Sequence, residues 1–343
     1  MESISLSLLL VVLAVGIFDF TNGFHDAADM VATTIASRAM TPAMAIGIVS
    51  VFTFIAPFTV GLAVADTVGT FINISAATKG VGENIVIAAL LAAVSYNLMT
   101  WKFGFPSSSS NSLAGGLVGA GLYALGSGEI HWGVQALYNG ELQGVMKVMA
   151  GLFASPLLGF VIGFILMKII FLIFSHFRER INVVFTRSQY ISVAWLGFSH
   201  GANDAQKGMA IIGMMLLADE TGTGVFHVPD WAIVWCASAI TLGTMFGGWR
   251  IIKTLGFGLV HVKNTHAVAN QLGSALVNTL ATSIGAPTST SQVVTATLLG
   301  NGVAENPAHV KWRTVAGIVS GWWLNIPVSI LLGWSYCMMF NFM

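Results

Sequence analysis

The chain has 343 residues, of which 55% are hydrophobic and only 8% are charged, and its mean hydropathy is +0.81. About a quarter of the residues are charged in a typical soluble domain, so this composition excludes an ordinary soluble protein and predicts an integral membrane protein. The formal net charge is zero, which gives no reason to expect a nucleic-acid partner.

Apolar runs follow one another along the chain and are separated by short polar links. In chain order the runs lie near residues 4–18, 42–62, 85–101, 113–125, 145–174, 191–217, 231–249, 266–284, 293–300 and 314–340. We therefore expect an all-α polytopic membrane protein with about ten to twelve transmembrane segments. Several of these segments are expected to be broken helices or re-entrant hairpins, since Gly, Pro and Ser runs interrupt them.

Two stretches in separate halves of the chain are similar to one another. Residues 20–27 read Phe-Thr-Asn-Gly-Phe-His-Asp-Ala, and residues 198–205 read Phe-Ser-His-Gly-Ala-Asn-Asp-Ala. Asp26 precedes Pro106 by 80 residues and Asp204 precedes Pro287 by 83, and four hydroxyl residues follow each proline. This spacing predicts a first repeat over residues 1–175, a basic cytoplasmic link over 176–189 and a second repeat over 190–343.

The number of segments and the charges of the links predict how the repeats are oriented. Each repeat has about five segments, an odd number, so the second repeat is expected to be inverted relative to the first. Cytoplasmic links are rich in Lys and Arg. If the basic links lie inside, the links rich in Asp and Glu and both chain termini lie outside; the basic links contain Arg38, Lys102, 178–187, 250–263 and 311–313.

The hydroxyl runs after the two prolines are candidate anion sites. Proline favours the first positions of a helix and serine or threonine favours its N-cap, so a helix is expected to begin in each run. Free N–H groups at a helix start bind anions, and neighbouring hydroxyls suit a tetrahedral oxyanion. The alternative is that the hydroxyls only cap or bridge helices in lipid. The candidate ligands are Ser107, Ser108, Ser109, Ser110, Thr288, Ser289, Thr290 and Ser291.

Ionisable residues within the two motifs are candidates for binding a cation. A charge at the bilayer centre costs at least ~2.5–3.5 kcal/mol, so such residues are functional candidates. Carboxylates would accompany an anion only if cations travel with it, either Na⁺ with oxygen ligands or a proton on a carboxylate, His25 or His200. The alternative is a polar seam that only joins helices. The candidate coupling-ion residues are Asn22, His25, Asp26, Asp29, Asn203 and Asp204, with Asp26 and Asp204 as the Na⁺ ligands.

The paired motifs resemble those of the inorganic phosphate transporter (PiT) family. The family pattern around each aspartate is Gly-x-Asn-Asp-x-x-Asn, and here residues 23–26 read Gly-Phe-His-Asp and residues 201–204 read Gly-Ala-Asn-Asp. Each is followed about 80 residues later by Pro and a Ser/Thr run, and the resemblance covers essentially the whole chain. It implies an inverted-repeat fold, often a homodimer, that imports phosphate with Na⁺ or H⁺.

The chain departs from the family pattern at several positions. His25 replaces the first Asn in the first copy, and Asp29 and Lys207 replace the last Asn in the two copies. Asn111 and Gln292 stand where family hairpins often carry His. Lys207 puts a fixed cation where a symmetric Na⁺ site would need an oxygen, and it would offset the charge of Asp204 or of bound phosphate. Lys207 is therefore also a candidate phosphate ligand. The His25 and Lys207 pattern is more similar to the bacterial low-affinity, proton-coupled branch, which is associated with metal–phosphate complexes.

These features together predict a secondary active importer of inorganic phosphate in the plasma (cell inner) membrane, coupled to H⁺ or Na⁺, with H⁺ favoured. No enzymatic activity and no cofactor is expected. Two alternatives remain open: a symporter of sulfate or another tetrahedral oxyanion with the same fold, and a passive anion channel. An intramembrane enzyme is disfavoured, because a single catalytic site does not require a duplicated motif.

Overall fold

The computed structural model describes residues 6–70, 72–74, 79–174, 181–218, 226–247 and 249–341. Within these ranges the regular structure is helical, apart from an isolated β-bridge between Ile72 and Ile130. The α-helices are α1 (Leu6–Ala36), α2 (Pro42–Ile55), α3 (Ala63–Gly69), α4 (Lys79–Phe103), α5 (Ser109–Ala124), α6 (Val134–Tyr138), α7 (Gly144–Phe174), α8 (Asn182–Ala218), α9 (Asp230–Phe246), α10 (Trp249–Gly258), α11 (Asn264–Ser283), α12 (Thr290–Glu305) and α13 (Trp312–Asn341). Short 3₁₀ helices cover Ala56–Phe58, Ser127–Glu129 and Pro307–His309.

The order of helices in the first half recurs in the second. Helices α1 to α5 and then α7 correspond in order to α8 to α12 and then α13, and a 3₁₀ turn follows both α5 and α12. The short helix α6 has no counterpart in the described part of the second half. Two copies of one helix order agree with the repeat seen in the sequence. The inverted orientation of the second copy and the limits of the repeats stay predictions.

The two halves interlock through corresponding helix pairs. Helix α1 packs on α9 and α8 packs on α2, while α5 packs on α13 and α12 packs on α7. Glycine permits these crossings: a Cβ at Gly23 would lie 2.0 Å from the Ile240 carbonyl oxygen, and one at Gly300 would lie 2.1 Å from that of Phe160. Small residues at such crossings let helix backbones approach closely in lipid. Neither half therefore forms a separate packed unit.

The lengths and composition of the helices are those of a multi-pass membrane protein. In the described part of the chain, α1, α4, α7 and α13 are long and apolar enough to cross a membrane. The number rises to six if the bent pairs α2 with α3 and α9 with α10 each form one span. The predicted ten to twelve segments also include shorter or more polar helices such as α5 and α12, which have 16 residues each. The total number of segments stays a prediction.

The interruptions of the helices lie at the hydroxyl runs and not at the acidic motifs. Helices α1 and α8 continue through their motifs, whereas α4 and α5 are separated by residues 104–108, and α11 and α12 by residues 284–289. Gly104 and Gly285 have φ of 72° and 67° at these breaks, a conformation that favours glycine. Residues 182–189 of the predicted basic link form the first turns of α8, and residues 175–180 lie outside the described ranges.

Candidate functional site

The starts of α5 and α12 meet inside the protein. We call residues 107–110 the first hydroxyl cluster and residues 288–291 the second hydroxyl cluster; all eight side chains are buried. Ser108 caps α5 by accepting from the Asn111 N–H at 3.0 Å, and Ser289 caps α12 by accepting from the Gln292 N–H at 3.3 Å. Ser110 Oγ donates to the Thr288 carbonyl oxygen at 2.7 Å. The partial positive charges of two helix starts therefore converge on one buried region.

Helix α1 contacts both clusters from one side. Asn22 Oδ1 accepts a hydrogen bond from Ser109 Oγ at 2.6 Å. Ser291 Oγ donates to Asp26 Oδ1 at 2.5 Å and also lies within hydrogen-bond distance of the Asp29 carboxylate. The side chains of Asn22, Asp26 and Asp29 are at most 2% exposed, so no bulk water offsets their charge or polarity. This packing places two carboxylates directly beside the start of α12.

Helix α8 contacts the clusters from the other side, through Lys207. Its ammonium group is hydrogen-bonded to the Asp204 carboxylate and the Ser110 hydroxyl, and it donates to the Thr288 carbonyl oxygen at 2.8 Å. An ammonium group has three N–H donors, so all three have protein acceptors here. The Lys207 side chain is 1% exposed. Its predicted contact with phosphate would require one of these bonds to open.

Asn203 holds the break that precedes α12. Its Nδ2 donates to Thr282 Oγ1 at 2.9 Å and to the Ala286 carbonyl oxygen at 3.2 Å, and its Oδ1 accepts from the Thr288 N–H at 3.0 Å. The amide thus satisfies backbone groups that the helix interruption leaves without helical partners. In this conformation Asn203 positions the second hydroxyl cluster, and its predicted role toward a cation stays a prediction.

The motif aspartates of the two halves are close to each other. His200 Nδ1 lies 3.3 Å from Asp204 Oδ2 and 3.8 Å from Asp26 Oδ2, and Asn22 Nδ2 donates to Asp204 Oδ2 at 3.4 Å. His25 Nδ1 lies 3.5 Å from Asp26 Oδ1. Two groups of side chains offer donor atoms that lie within 4.8 Å of one another and could hold a cation: His25 with Asp26 and Asp29, and Asp26 with His200 and Asp204.

Most of the predicted site residues lie close together in the structure. The structure adds a few polar neighbours that the sequence does not predict. Ser107 is buried, but its hydroxyl has no hydrogen-bond partner in the described part of the chain. Asn278 of α11 accepts from Thr288 Oγ1 at 3.2 Å and donates to Thr290 Oγ1 at 3.3 Å. An amide inside the apolar run 266–284 was the only signal available for Asn278. His200, which the sequence indicates only as a possible proton carrier, lies between the two motif aspartates.

The chain is similar to known proteins over nearly its whole length. A model of the phosphate transporter family matches residues 22–333. The chain is 36% identical over 332 residues to a probable low-affinity inorganic phosphate transporter of Rhizobium meliloti strain 1021, covering 96% of both chains. It is 36% identical over 329 residues to the protein of the same description from Bacillus subtilis strain 168, covering 96% and 95%. A solved structure described as "The sodium-dependent phosphate transporter" has the same fold, with a TM-score of 0.88, 21% identity and coverage of 99% and 100%.

Proposed function

This chain belongs to the phosphate transporter family, and from that membership we propose that it is a secondary active importer of inorganic phosphate in the plasma membrane, driven by H⁺ or Na⁺. The observation that carries the proposal is the convergence of the two capped helix starts between buried acidic residues. Ser110 and Thr288 are in direct contact, and a carboxylate-bearing helix borders each hydroxyl cluster.

Phosphate is proposed to bind between the two hydroxyl clusters. The first-turn N–H groups of α5 and α12 have no acceptor within their own helices, apart from those that Ser108 and Ser289 cap. Together with the hydroxyls, which would leave their present acceptors when an anion binds, they would offer many donors to the oxygens of a tetrahedral anion, in a region buried away from bulk water. These donors support the assignment of the eight hydroxyl residues as phosphate ligands.

Phosphate entry requires the two hydroxyl clusters to separate. The cavity beside Ser110, Lys207 and Pro287 measures about 10 Å³, which is about the space of a single water molecule. The space between Ser110 and Pro287 in the described conformation is therefore too small for phosphate. We infer that alternating access separates the start of α5 from the start of α12 and breaks the contact between Ser110 and Thr288.

A coupled cation is required by the membrane potential. Moving one charge across 100 mV corresponds to ~2.3 kcal/mol. The entry of a divalent phosphate into a cell with a negative interior therefore costs about twice that energy. Two monovalent cations that enter with it cancel this cost, and three or more reverse its sign. The buried carboxylates of Asp26, Asp29 and Asp204 are the groups that would hold such cations.

We favour H⁺ as the coupling ion over Na⁺. His25 lies 3.5 Å from Asp26, and His200 lies 3.3 Å from Asp204, so each motif aspartate has a proton-carrying neighbour. The bacterial relatives are described as low-affinity phosphate transporters. We also propose that the chain forms a homodimer and that a metal–phosphate complex is among the species it carries, as the resemblance to the PiT family implies.

The proposal is tested by uptake of labelled phosphate into proteoliposomes. A pH gradient and a Na⁺ gradient are applied in turn, and excess sulfate is added as a competitor. We expect concentrative uptake under the pH gradient, loss of uptake in Asp26→Asn and Asp204→Asn, and no suppression by sulfate. Flux that neither gradient concentrates would support a passive channel, and suppression by sulfate would support a broader oxyanion transporter.

A further inference from the structure

The second hydroxyl cluster contacts a residue of α1, and the first hydroxyl cluster contacts the corresponding residue of α8. These two residues have opposite charges. Asp29 and Lys207 each lie three residues after the motif aspartate of their half. Ser110 and Ser291 each lie two residues after the N-cap of their helix. Ser291 bonds to Asp29, and Ser110 bonds to Lys207. The same contact therefore occurs twice, with a carboxylate in one copy and an ammonium group in the other.

The surroundings of the Lys207 ammonium are those of a bound cation. Its three partners are a carboxylate, a hydroxyl and a backbone carbonyl, contributed by Asp204, Ser110 and Thr288. Oxygen ligands of these kinds also hold hard metal cations, especially where interrupted helices expose carbonyl groups. The ammonium is buried and fixed to the chain. A second cation in the same place would be repelled by its charge in a region buried away from bulk water.

Among the described residues, no lysine or arginine pairs with the carboxylates at the corresponding place in the other copy. Asp26 and Asp29 share the single hydroxyl proton of Ser291, and Asp29 Oδ1 is buried with no hydrogen-bond partner in the described part of the chain. Donor atoms of His25, Asp26 and Asp29 lie within 4.8 Å of one another. Two carboxylates this close do not both remain charged unless a cation accompanies them. This cluster is therefore left open for an exchangeable cation.

We propose that Lys207 is a tethered cation that permanently fills one of two corresponding cation positions. The protein then exchanges a cation between Asp26, Asp29 and Ser291 and keeps a fixed positive charge beside Asp204. The inference rests on the proposed phosphate transport. It implies that each transported phosphate is accompanied by one cation fewer than in a protein with an oxygen ligand at position 207.

The test replaces Lys207 by aspartate, which is the residue at the corresponding position of the first copy, Asp29. Lys207→Asp gives the second copy the same ligand types as the first, a pair of carboxylates with a serine hydroxyl. Lys207→Asn is a second variant in case the added carboxylate beside Asp204 prevents folding. Lys253→Asp is the matched control, because Lys253 is an exposed lysine on α10. Asp29→Lys makes the reverse change in the first copy.

Two measurements are made on the full-length protein. The first is the cation-to-phosphate ratio in proteoliposomes, taken from the cation gradient that just balances a fixed phosphate gradient. The second is the number of cations bound by purified protein in the presence of inorganic phosphate, counted both as bound ²²Na⁺ and as protons taken up from solution. We expect Lys207→Asp to carry and bind one more cation than the wild type. The Hill coefficient for the dependence of uptake on cation concentration should rise accordingly, because one more cation site must be filled. Asp29→Lys should bind one fewer, and Lys253→Asp should not differ from the wild type.

The outcomes separate this inference from the proposed function. An unchanged ratio and an unchanged number of bound cations in folded Lys207→Asp and Lys207→Asn would overturn the role of Lys207. If a Lys207 variant folds but does not transport, the count of bound Na⁺ and protons decides alone, with an added cation in support and none against. If the wild type does not transport phosphate, the proposed function fails, while the comparison of bound cations still tests the tethered cation.

Discussion

At the residue scale, the site depends on single side chains that serve two partners at once. Ser291 is the clearest example, because its hydroxyl joins the start of α12 to both Asp26 and Asp29. His200 plays a similar part between the two motif aspartates, at 3.3 Å and 3.8 Å from their oxygens. Such shared contacts make the charge state of one half depend on the other.

We expect Ser291→Ala to lower the initial rate of phosphate uptake by about tenfold or more. A hydrogen bond to a charged group is worth ~1.5–3 kcal/mol, and each 1.4 kcal/mol corresponds to about a factor of ten. The measurement is uptake into proteoliposomes at a fixed gradient, normalised to incorporated protein. Ser283→Ala is the control, since Ser283 is exposed at the end of α11 and its hydroxyl donates to the Leu280 carbonyl oxygen of the same helix. Equal rates for the two variants would contradict the role assigned to Ser291.

At the scale of elements, the two breaks in the helices are held by side chains from neighbouring helices. Asn203 of α8 satisfies the backbone before α12. Asn325 of α13 donates to the Ser108 carbonyl oxygen at 2.8 Å and accepts from Ser112 Oγ at 2.9 Å at the start of α5. The position of each helix start is therefore set by a packed helix and not by the local sequence alone.

We expect Asn203→Ala to weaken the apparent affinity for phosphate by about tenfold, because the lost bonds free the backbone at Thr288. The cation-to-phosphate ratio should stay unchanged, since in this conformation Asn203 positions a helix start. The measurement is the concentration dependence of phosphate uptake together with that ratio. Asn270→Ala is the control, because Asn270 also links α11 to α12, through the Val294 carbonyl oxygen, away from the clusters. A lower ratio in Asn203→Ala would instead make Asn203 a cation ligand.

We expect Gly300→Ala to destabilise the crossing of α12 and α7. The added Cβ would lie 2.1 Å from the Phe160 carbonyl oxygen, a backbone atom that cannot turn aside, and overpacking of this kind costs about 1–3 kcal/mol. The thermal unfolding midpoint in detergent should fall by several degrees. Gly47→Ala is the control, since nothing lies within 4 Å of its added Cβ and alanine favours the helix. A midpoint equal to that of the control would show that α12 and α7 can separate at no cost.

At the scale of the whole molecule, helices of each half pack against helices of the other half. The start of α5 bonds to α8, and the start of α12 bonds to α1, so each proposed ligand cluster is completed by the opposite half. Contacts between α1 and α8 bring the two buried acidic motifs together. A rearrangement of one half would therefore change the surroundings of both clusters, as the proposed alternating access requires.

The proposed inverted topology predicts that corresponding turns face opposite sides of the membrane. The turns after α5 and after α12 are exposed at Ser127 and Ala308. Both native cysteines are buried and give a low background for labelling. Ser127→Cys should react with an impermeant maleimide on intact cells, and Ala308→Cys should react only after permeabilisation. Labelling of both from the same side would exclude inverted repeats.

The sequence by itself determined the class of the molecule and the local form of the site. Composition indicated a membrane protein, and the duplicated motif indicated two corresponding halves. The Pro-Ser and Pro-Thr runs predicted the helix starts, which the structure has at Ser109 and Thr290. These features are encoded locally, because proline geometry and hydroxyl capping act within a few residues.

Only the tertiary structure decided which side chains meet. Ser109 bonds to a residue 87 positions away, and the contact between Ser291 and Asp26 joins residues 265 positions apart. Such contacts depend on where the helices cross, and no local pattern encodes those crossings. The structure thus gave Asn203 its position at the helix break, brought Asn278 to the site and placed the Lys207 ammonium among three oxygens. The physical reason is that a buried polar group must find a partner, and in lipid the partners available are those that helix packing brings near.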